Sequence, residues 1–327
     1  MNKVFVTGAS GFVGGHVVRR LHELEIPVRC LVRKTSDLSF IAPLRPEIAF
    51  GDVTEPAGLQ RALQGVDAVI HCAGVTKATS PDTYFRVNEA GCRNLYAACM
   101  EFKSALRKIV HISSLAALGP SSADRPATEG SPPRPVSDYG MSKLAGQKIA
   151  EAHMNDLPVS IVIPPAVYGP RDRDFLSYFK LVSLGIKPFV GREPRYLSLI
   201  HARDLAAAVS LVLLNDGARG TCFLVEDGTV HTWADVAEAI GREMGRKAVP
   251  LHLPVFAARA LGSAGDLLAR LTGKETLLNS QKVEEMLQAA WTCSAARIRH
   301  ELGFAARYGL DEGIRNTLSW YRENRWL

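Results

Sequence analysis

The amino-acid sequence predicts an α/β protein built on a doubly wound parallel sheet, with a smaller, discontinuous C-terminal lobe. Short β-rich runs alternate with helical apolar patterns in the first part of the chain. Runs such as residues 68–70 are apolar without a break, which is typical of strands covered on both faces. A glycine-rich stretch at residues 7–14 joins the first strand pattern to the first helical pattern.

The elements follow from these patterns in chain order. The predicted strands of the sheet are residues 3–7, 28–32, 47–51, 68–72, 108–113, 160–163 and 222–225. The predicted helices are 12–23, 56–63, 84–102, 138–154, 202–214 and 310–327. Residues 1–170 with about 201–225 are expected to form one domain, and about 171–200 with 226–327 the second lobe. The proline-rich stretch 119–135 is expected to be a loop that covers a functional site.

The glycine-rich stretch predicts a phosphate site. Gly8, Gly11 and Gly14 lie between a strand and a helix, with a spacing that is a variant of the dinucleotide-binding fingerprint. A helix N-terminus offers unpaired N–H groups and the positive end of a dipole, and glycines let the backbone approach a pyrophosphate. The residues expected to contact a dinucleotide here are Gly8, Ser10, Gly11, Phe12, Val13 and Gly14.

The end of the second strand indicates which dinucleotide is preferred. An NAD site usually carries an acidic residue about 20 residues beyond the glycine turn, where it binds the ribose 2′-hydroxyl. This chain has Arg33 and Lys34 there, and an arginine can form two hydrogen bonds with a 2′-phosphate. The sequence therefore favours NADP(H) over NAD(H), although both residues could be surface cations and Asp37 follows closely.

Two further strand ends are expected to face the same ligand. Asp52 and Val53 follow the third strand, and Ala73 and Gly74 follow the fourth. Ligands of open α/β sheets bind outside the carboxyl ends of the strands. Asp52 could accept a hydrogen bond from the adenine amino group, Val53 could flank the ring, and the small residues leave room for the cofactor.

Ser114, Tyr139 and Lys143 are the candidates for catalysis. Ser114 ends the fifth strand, and Tyr139 and Lys143 share one face of the following helix at i, i+4. A phenol with a pKa near 10 is a poor base at neutral pH, and a neighbouring ammonium favours its phenolate form. The hydroxyl of Ser114 can bind a substrate oxygen while Tyr139 transfers a proton and a nicotinamide transfers a hydride.

Composition narrows the classes of partner and compartment. The net charge of +6 is spread along the chain without interleaved aromatic residues, so no nucleic-acid partner is expected. The six cysteines include no Cys-x-x-Cys pair, which favours reduced thiols in a cytoplasmic protein over a metal site or disulfides. No signal peptide is expected before the first strand, and the longest apolar run, 205–214, is too short to span a membrane. The amphipathic segment 255–271 is expected to pack on the second lobe, with contact to a lipid surface as the alternative.

Taken together, these motifs resemble the extended, epimerase-type short-chain dehydrogenases/reductases. The matching pieces are TGASGFVG, GDV, HCAG, HISS, YGMSK, IPPAVYGPRD and HARDLA, which cover residues 1 to about 215, and the C-terminal LDEGIRNTLSWYRENRWL. The resemblance implies a Rossmann-like NAD(P)-binding domain, a substrate-binding lobe and a closing helix. It also implies Ser114, Tyr139 and Lys143 as catalytic residues. A homodimer formed through helices 84–102 and 138–154 is implied by the resemblance alone.

The resemblance adds further expected site residues. Asn88 matches the family's helix asparagine near the active site, with an interhelical hydrogen bond as the alternative role. Pro164, Pro165 and Val167 match a segment that lines the nicotinamide site. His201 and Asp204 look like a structural element of the family.

Three kinds of family member compete. The first is an NADP(H)-dependent dehydrogenase or reductase acting on an alcohol or ketone, similar to the dihydroflavonol reductase and 3β-hydroxysteroid dehydrogenase branch. The second is a nucleotide-sugar epimerase or dehydratase, and the third is a non-catalytic dinucleotide sensor. Leu115 and Ala116 stand where dehydratases usually carry acids, and Ala166 stands where nucleotide-sugar enzymes commonly carry Asn. These departures favour the dehydrogenase or reductase. Against it, four arginines could hold a phosphate-bearing substrate, namely Arg171, Arg173, Arg192 and Arg195. The intact Ser/Tyr/Lys set disfavours the sensor.

Overall fold

The structure is a computed structural model, and it describes residues 1–272, 276 and 279–327. The predicted second lobe includes residues 273–275 and 277–278, which lie outside the described residues. The strands in chain order are β1 (Val4–Thr7), β2 (Val28–Val32), β3 (Glu47–Phe50), β4 (Ala68–His71), β5 (Lys108–Ile112), β6 (Val159–Ile163), β7 (Ala166–Tyr168), β8 (Ile186–Val190), β9 (Tyr196–His201), β10 (Thr221–Leu224), β11 (Val230–Thr232), β12 (Val249–Leu253) and β13 (Ala290–Trp291).

Among the described residues, seven of these strands form one parallel sheet in the order β10-β6-β5-β4-β1-β2-β3. Val4 of β1 pairs with Val28 on one side and with Ala68 on the other, so the chain begins in the middle and winds outward both ways. The predicted doubly wound sheet is confirmed, and so is the return of the late strand β10 beside β6. Such a reversal of strand order opens a crevice at the carboxyl ends of β1 and β4.

Helices cover both faces of the sheet. They are α1 (Phe12–Glu23), α2 (Pro56–Leu63), α3 (Pro81–Phe85), α4 (Gly91–Glu101), α5 (Leu115–Leu118), α6 (Asp138–Ala152), α7 (Arg173–Ser183), α8 (Ala202–Leu214), α9 (Trp233–Met244), α10 (Val255–Thr272), α11 (Ser280–Leu287), α12 (Ala296–Leu302) and α13 (Leu310–Glu323).

The side chains of β1 alternate between two apolar cores. Val4 and Val6 pack with residues of α1 and α8, whereas Phe5 packs with residues of α2, α4 and α6. All three side chains are fully buried. This alternation explains the uninterrupted apolar strands, because each face of the sheet needs its own apolar set.

The second lobe has its own small sheets and core. Strand β9 pairs with β11, β13 and β7, and β8 pairs with β12. Its core packs Phe179 and Ile240 against Leu318 and Tyr321 of the closing helix α13. The Tyr321 hydroxyl donates a hydrogen bond of 2.5 Å to the carbonyl of Asp172, which joins the closing helix to the start of α7.

The predicted helix 84–102 differs from the structure in one respect. It begins earlier, at Pro81, and a π-helical turn, Arg86–Ala90, separates α3 from α4. A π turn widens the helix and is frequent at functional sites. Gly146 of α6 packs directly on this turn: a Cβ there would lie 2.3 Å from the Asn88 carbonyl oxygen.

The loop 119–135 also differs from its expected role. Its main chain pairs with the second lobe, since Ser121 donates to the Ala290 carbonyl at 3.0 Å and Ala127 to the Thr292 carbonyl at 2.9 Å. None of its residues lines the cleft described below. The expectation that it covers the functional site is therefore wrong: the loop ties the second lobe to the sheet domain.

Candidate active site

A cleft of about 2150 Å³ lies between the carboxyl edge of the sheet and the second lobe. Nearly all the site residues predicted from sequence line it, although they come from distant parts of the chain. These residues are Gly8, Ser10, Gly11, Phe12, Val13, Gly14, Arg33, Asp52, Val53, Ala73, Gly74, Ser114, Tyr139, Lys143, Pro164, Pro165 and Val167. Lys34 and Asn88 are predicted site residues that do not line it.

The glycine turn at the floor of the cleft has no room for side chains. A Cβ on Gly8 would lie 2.6 Å from the Ala73 nitrogen, and a Cβ on Gly14 would lie 2.1 Å from the Gly8 carbonyl oxygen. Gly8 also has φ +67°, a conformation that favours glycine. Gly11 precedes α1 without a side-chain cap, so the first N–H groups of that helix have no side-chain acceptor there. The turn therefore fits the pyrophosphate of a dinucleotide.

Arg171 of the second lobe reaches over this turn. Its guanidinium donates to the carbonyls of Gly11 and Ser10 at 3.2 and 3.3 Å and lies 4.3 Å from the Phe40 ring centroid. Its φ of +76° is unusual for a residue with a side chain. Sequence reasoning assigned Arg171 to a possible substrate site, but the structure places it against the predicted cofactor turn.

The other three arginines of that set, Arg173, Arg192 and Arg195, also line the cleft. The Arg195 guanidinium donates to the carbonyls of Val190 and Gln288, both at 3.2 Å, and to that of Leu287. Arg173 instead lies 5.6 Å from the centroid of the Trp326 ring.

The two adjacent serines at the end of β5 both line the cleft, but their hydroxyls have different partners. The Ser113 hydroxyl is buried and donates a 2.5 Å hydrogen bond to the Gln147 side chain. Ser114 precedes the short helix α5, and its Oγ accepts from the Ala116 amide at 3.2 Å. The Ser114 side chain lies near enough to the Tyr139 phenol to lower the pKa of that phenol.

Tyr139 and Lys143 stand one turn apart on α6, at the wall of the cleft. Burial raises the pKa of the Tyr139 phenol to about 12, the Ser114 side chain lowers it, and the Glu285 carboxylate raises it again. Burial also lowers the pKa of Lys143, whose Nζ donates to the Ile112 carbonyl at 2.8 Å. This anchor holds the ammonium below the carboxyl end of β5, beside the predicted nicotinamide site.

A family model described as the NAD dependent epimerase/dehydratase family matches residues 4–225. The chain belongs to this family. Its members of the extended short-chain dehydrogenase/reductase type are NAD(P)-dependent dehydrogenases, reductases or epimerases, and this protein is an enzyme of that type. The family match and the predicted site residues thus fall on the same part of the chain.

Curated relatives of this epimerase/dehydratase-family enzyme match over nearly their whole length. The ceramide reductase of Caulobacter vibrioides (strain NA1000 / CB15N) is 32% identical, over 99% of this chain and 96% of that protein. The N-acetyl-alpha-D-glucosaminyl-diphospho-ditrans,octacis-undecaprenol 4-epimerase of Escherichia coli O157:H7 is 28% identical, over 98% and 95%. The solved structure of the Thermus thermophilus UDP-glucose 4-epimerase with NAD has a TM-score of 0.79 and 23% identity, over 98% and 99%, and shares the fold.

Behind the cleft wall of this family member lies a buried polar network that sequence reasoning missed. The Ala73 amide donates to Thr7 Oγ1 at 3.2 Å, and Thr7 Oγ1 hydrogen-bonds His71 Nδ1 at 2.7 Å. His71 Nε2 lies 3.1 Å from Cys92 Sγ, which donates to the Asn88 carbonyl at 2.9 Å. Burial lowers the pKa of His71 to about 3, so the ring is neutral at physiological pH.

Asn88 continues this network toward α6, the helix that carries Tyr139 and Lys143. Its Oδ1 accepts from the Val75 amide at 2.8 Å, and its Nδ2 donates to the Val75 carbonyl at 3.0 Å and to Ser142 Oγ at 2.9 Å. Ser142 Oγ in turn donates to the Tyr139 carbonyl at 2.8 Å. Asn88 is buried, and this geometry matches the interhelical alternative considered from the sequence.

The second lobe holds the N-terminus of the catalytic helix. Ser137, which precedes α6 and accepts from the Gly140 amide, donates to the Glu285 carboxylate at 2.6 Å. The Gln281 side chain accepts from the Asp138 amide at 2.7 Å and donates to the Asp138 carboxylate. Helix α11 therefore positions the start of α6, two residues from Tyr139. No sequence motif indicates this contact, because 143 residues or more separate the partners.

His201 and Asp204 lie outside the cleft. The His201 ring stacks on Tyr308 at 4.2 Å between centroids, and the Asp204 carboxylate accepts from the Tyr308 amide at 2.8 Å. Both side chains thus connect β9 and α8 to the segment before α13, which agrees with the structural role implied by the resemblance.

Proposed function

We propose that this protein is an NADP(H)-dependent oxidoreductase that interconverts a secondary alcohol and a carbonyl in an apolar substrate. The observation that carries the proposal is the arrangement of Ser114, Tyr139 and Lys143 at the cleft wall, above the glycine turn.

The three side chains divide the work at the reacting oxygen. In carbonyl reduction, the Ser114 hydroxyl donates a hydrogen bond to the oxygen as negative charge develops on it. Tyr139 donates its proton to that oxygen and regains it from solvent; in alcohol oxidation the phenolate accepts the proton. The Lys143 ammonium favours the phenolate electrostatically. When bound, the nicotinamide supplies or accepts the hydride.

Arg33 supports the preference for NADP(H). It lines the cleft at the end of β2, where its guanidinium can form two hydrogen bonds with a 2′-phosphate. Asp37 also lines this end of the cleft. Its carboxylate could accept a hydrogen bond from the ribose 2′-hydroxyl and would therefore favour NAD(H). Hydrogen bonds from Ser39 hold the pKa of Asp37 below its usual value, and the positive charges of Arg171 and Arg173 act in the same direction. Asp37 therefore stays ionised, and the preference for NADP(H) rests on Arg33 and on the positive charges of Arg171 and Arg173 near the same end of the cleft.

The far end of the cleft supports an apolar substrate. The lining there includes many aromatic and aliphatic side chains of the second lobe beside charged ones such as Lys187, Arg192 and Glu193. The apolar members are Tyr178, Leu181, Phe189, Val190, Trp233, Leu251, Leu253, Met286 and Trp291. The names of the two curated relatives refer to a ceramide and to an undecaprenol-linked sugar, both of which carry long apolar chains. Such a lining excludes water and favours a lipid-like alcohol or ketone.

A nucleotide-sugar epimerase is the second candidate, because several relatives carry that name. The diphosphate of such a substrate needs a cluster of cations in the substrate half of the cleft. Arg171 contacts the cofactor turn and Arg195 is bound to main-chain carbonyls, so two of the four candidates are engaged elsewhere. Arg173 and Arg192 still line the cleft, so the reaction assay described below separates the two candidates.

The cofactor proposal is tested by titrating the protein with NADPH and with NADH. We expect NADPH to bind more tightly and Arg33→Asp to reverse the preference. Lys34→Asp makes the same change of charge outside the cleft and is the matched control. Equal or tighter NADH binding by the wild type contradicts the cofactor preference.

The reaction is tested with NADPH and a panel of oxo-ceramides, oxo-sterols and long-chain ketones. Oxidation of NADPH with formation of the matching alcohol supports the proposal. Release of tightly bound NAD⁺ on denaturation, with 4-epimerisation of a UDP-sugar and no net hydride transfer, would instead identify an epimerase.

A homodimer through the outer faces of α4 and α6 is also proposed, and light scattering of the purified protein measures its mass in solution.

A further inference from the structure

We propose that the outer face of α10, with the neighbouring strand β12, binds the surface of an anionic phospholipid bilayer. We call this surface the apolar rim; its residues are Val249, Leu251, Phe256, Leu261, Leu267, Leu268 and Leu271, each more than half exposed. The sequence led us to expect that 255–271 packs on the second lobe through its apolar residues, with contact to a lipid surface as the alternative. They lie instead on the outside.

Helix α10 is turned with its large apolar residues away from the protein. Its contact with α11 is made by small residues: Ala258 is 1% exposed, and a Cβ on Gly262 would lie 3.0 Å from Val283 Cγ2. At about 100° per residue, Leu267 lies on the side opposite Ala258. Leu267 is 58% exposed and Leu271 is 76% exposed. A helix packed on the lobe through its apolar face would show the reverse pattern.

The described charges of α10 are held on the side of α11. Arg259 forms a 2.9 Å ion pair with Glu284, and the Asp266 carboxylate accepts from the Ser280 amide at 3.3 Å. The exposed apolar side chains are therefore not interrupted by either group. Contiguous exposed apolar surface of this kind marks an interaction site.

The charge around the apolar rim matches an anionic lipid surface. The segment 246–272, which holds all seven rim residues, contains a single acid, Asp266, and the segment 184–192, whose strand β8 pairs with β12, contains none. Apart from Arg259, which is paired with Glu284, their cations include Lys187, Arg192, Arg246 and Lys247. Apolar side chains flanked by Lys and Arg are the pattern of helices that lie in the interface of anionic membranes. Within the described residues, no helix is both long and apolar enough to cross a membrane, so the contact would be superficial.

The apolar rim adjoins the cleft. Leu251 belongs to both, and Pro250, Leu253 and Ala258 also line the cleft. A lipid-like substrate could therefore pass from the bilayer into the cleft without crossing water. This route for the substrate rests on the proposed function, whereas the membrane contact itself does not.

The experiment is flotation of the full chain with phosphatidylcholine vesicles, with and without phosphatidylglycerol. We expect binding to the anionic vesicles only, and at least about a tenfold loss of partitioning for the double variant Leu267→Gln/Leu271→Gln. Arg246→Gln/Lys247→Gln should also weaken binding and reduce its salt dependence. The matched control is Phe50→Gln/Leu214→Gln, which changes two residues of the sheet domain that are also more than half exposed.

Three results would overturn the proposal. The first is a wild type that does not float with anionic vesicles, and the second is equal binding by the rim variant and the control variant. The third is a dimer that only the rim variant dissociates, seen by light scattering without vesicle binding, in which case a second copy covers the surface. NADPH affinity of each variant shows that it is folded. Vesicle binding without turnover of any lipid-like substrate would contradict the proposed function and leave the membrane contact standing.

Discussion

Gly146→Ala is the substitution that best tests how the catalytic helix is held. Gly146 lies on α6, one turn beyond Lys143 and two turns beyond Tyr139. The added Cβ would lie 2.3 Å from the Asn88 carbonyl oxygen and 3.0 Å from Cys92 Sγ. Since an ordinary contact needs about 3.4 Å, α6 and the π turn must separate by about 1 Å.

Two opposing terms set the effect on stability. Overpacking costs about 1–3 kcal/mol, whereas alanine gains about 1 kcal/mol over glycine inside a helix. We therefore expect the free energy of unfolding to fall by roughly 0–2 kcal/mol. Displacing the catalytic side chains by about 1 Å should lower kcat by about 10²-fold.

The assay combines steady-state kinetics with thermal unfolding. Gly130→Ala is the control, because its Cβ would meet no atom within 4 Å and should leave kcat unchanged. A Gly146→Ala enzyme with wild-type kcat would refute the reasoning, whatever its melting temperature. Such a result would mean that α6 can shift without moving the reacting groups.

Three further outcomes are expected. Tyr139→Phe should lower kcat by at least about 10²-fold at nearly unchanged NADPH affinity, whereas Tyr84→Phe, whose ring lies 6.2 Å away, should retain most of the activity. Glu285→Gln removes a negative charge that raises the pKa of the phenol, so the rise of alcohol oxidation with pH should move to lower pH; an unshifted kinetic profile would contradict this. Burial lowers the pKa of His16 from 6.5 to about 4 and that of His71 from 6.5 to about 3. Between the ordinary value and these lowered values, the unfolded chain binds more protons than the folded chain. The free energy of unfolding should therefore decrease as the pH falls through that range, which denaturant titrations at several pH values measure.

The sheet domain could be predicted from sequence because its signals are local. Each strand of the sheet is a short apolar run, and each strand end places its next residues at the same edge. The glycine turn, Ser114, Tyr139 and Lys143 were expected at one edge for this reason, and all of them line the cleft.

The parts that escaped prediction depend on contacts between distant residues. The Ser137–Glu285 hydrogen bond and the reach of Arg171 to the glycine turn join segments that are 148 and 161 residues apart. The outward rotation of α10 could not be predicted either. The spacing of apolar residues in a helix shows which of them share one face. It does not show which face of the helix packs against the rest of the protein.

The chain of hydrogen bonds from Thr7 through His71 and Cys92 to Asn88 constrains how this enzyme can diverge. Each member satisfies a polar group of the next, and replacing one alone leaves a buried donor or acceptor without a partner, at about 1–3 kcal/mol. Substitutions in this layer are therefore tolerated as compensated sets and rarely one at a time. Replacing His71 alone would lower the free energy of unfolding of this protein. The same replacement would be neutral only in a sequence in which Thr7 and Cys92 had already changed. The order in which mutations arise therefore decides which sequences can be reached.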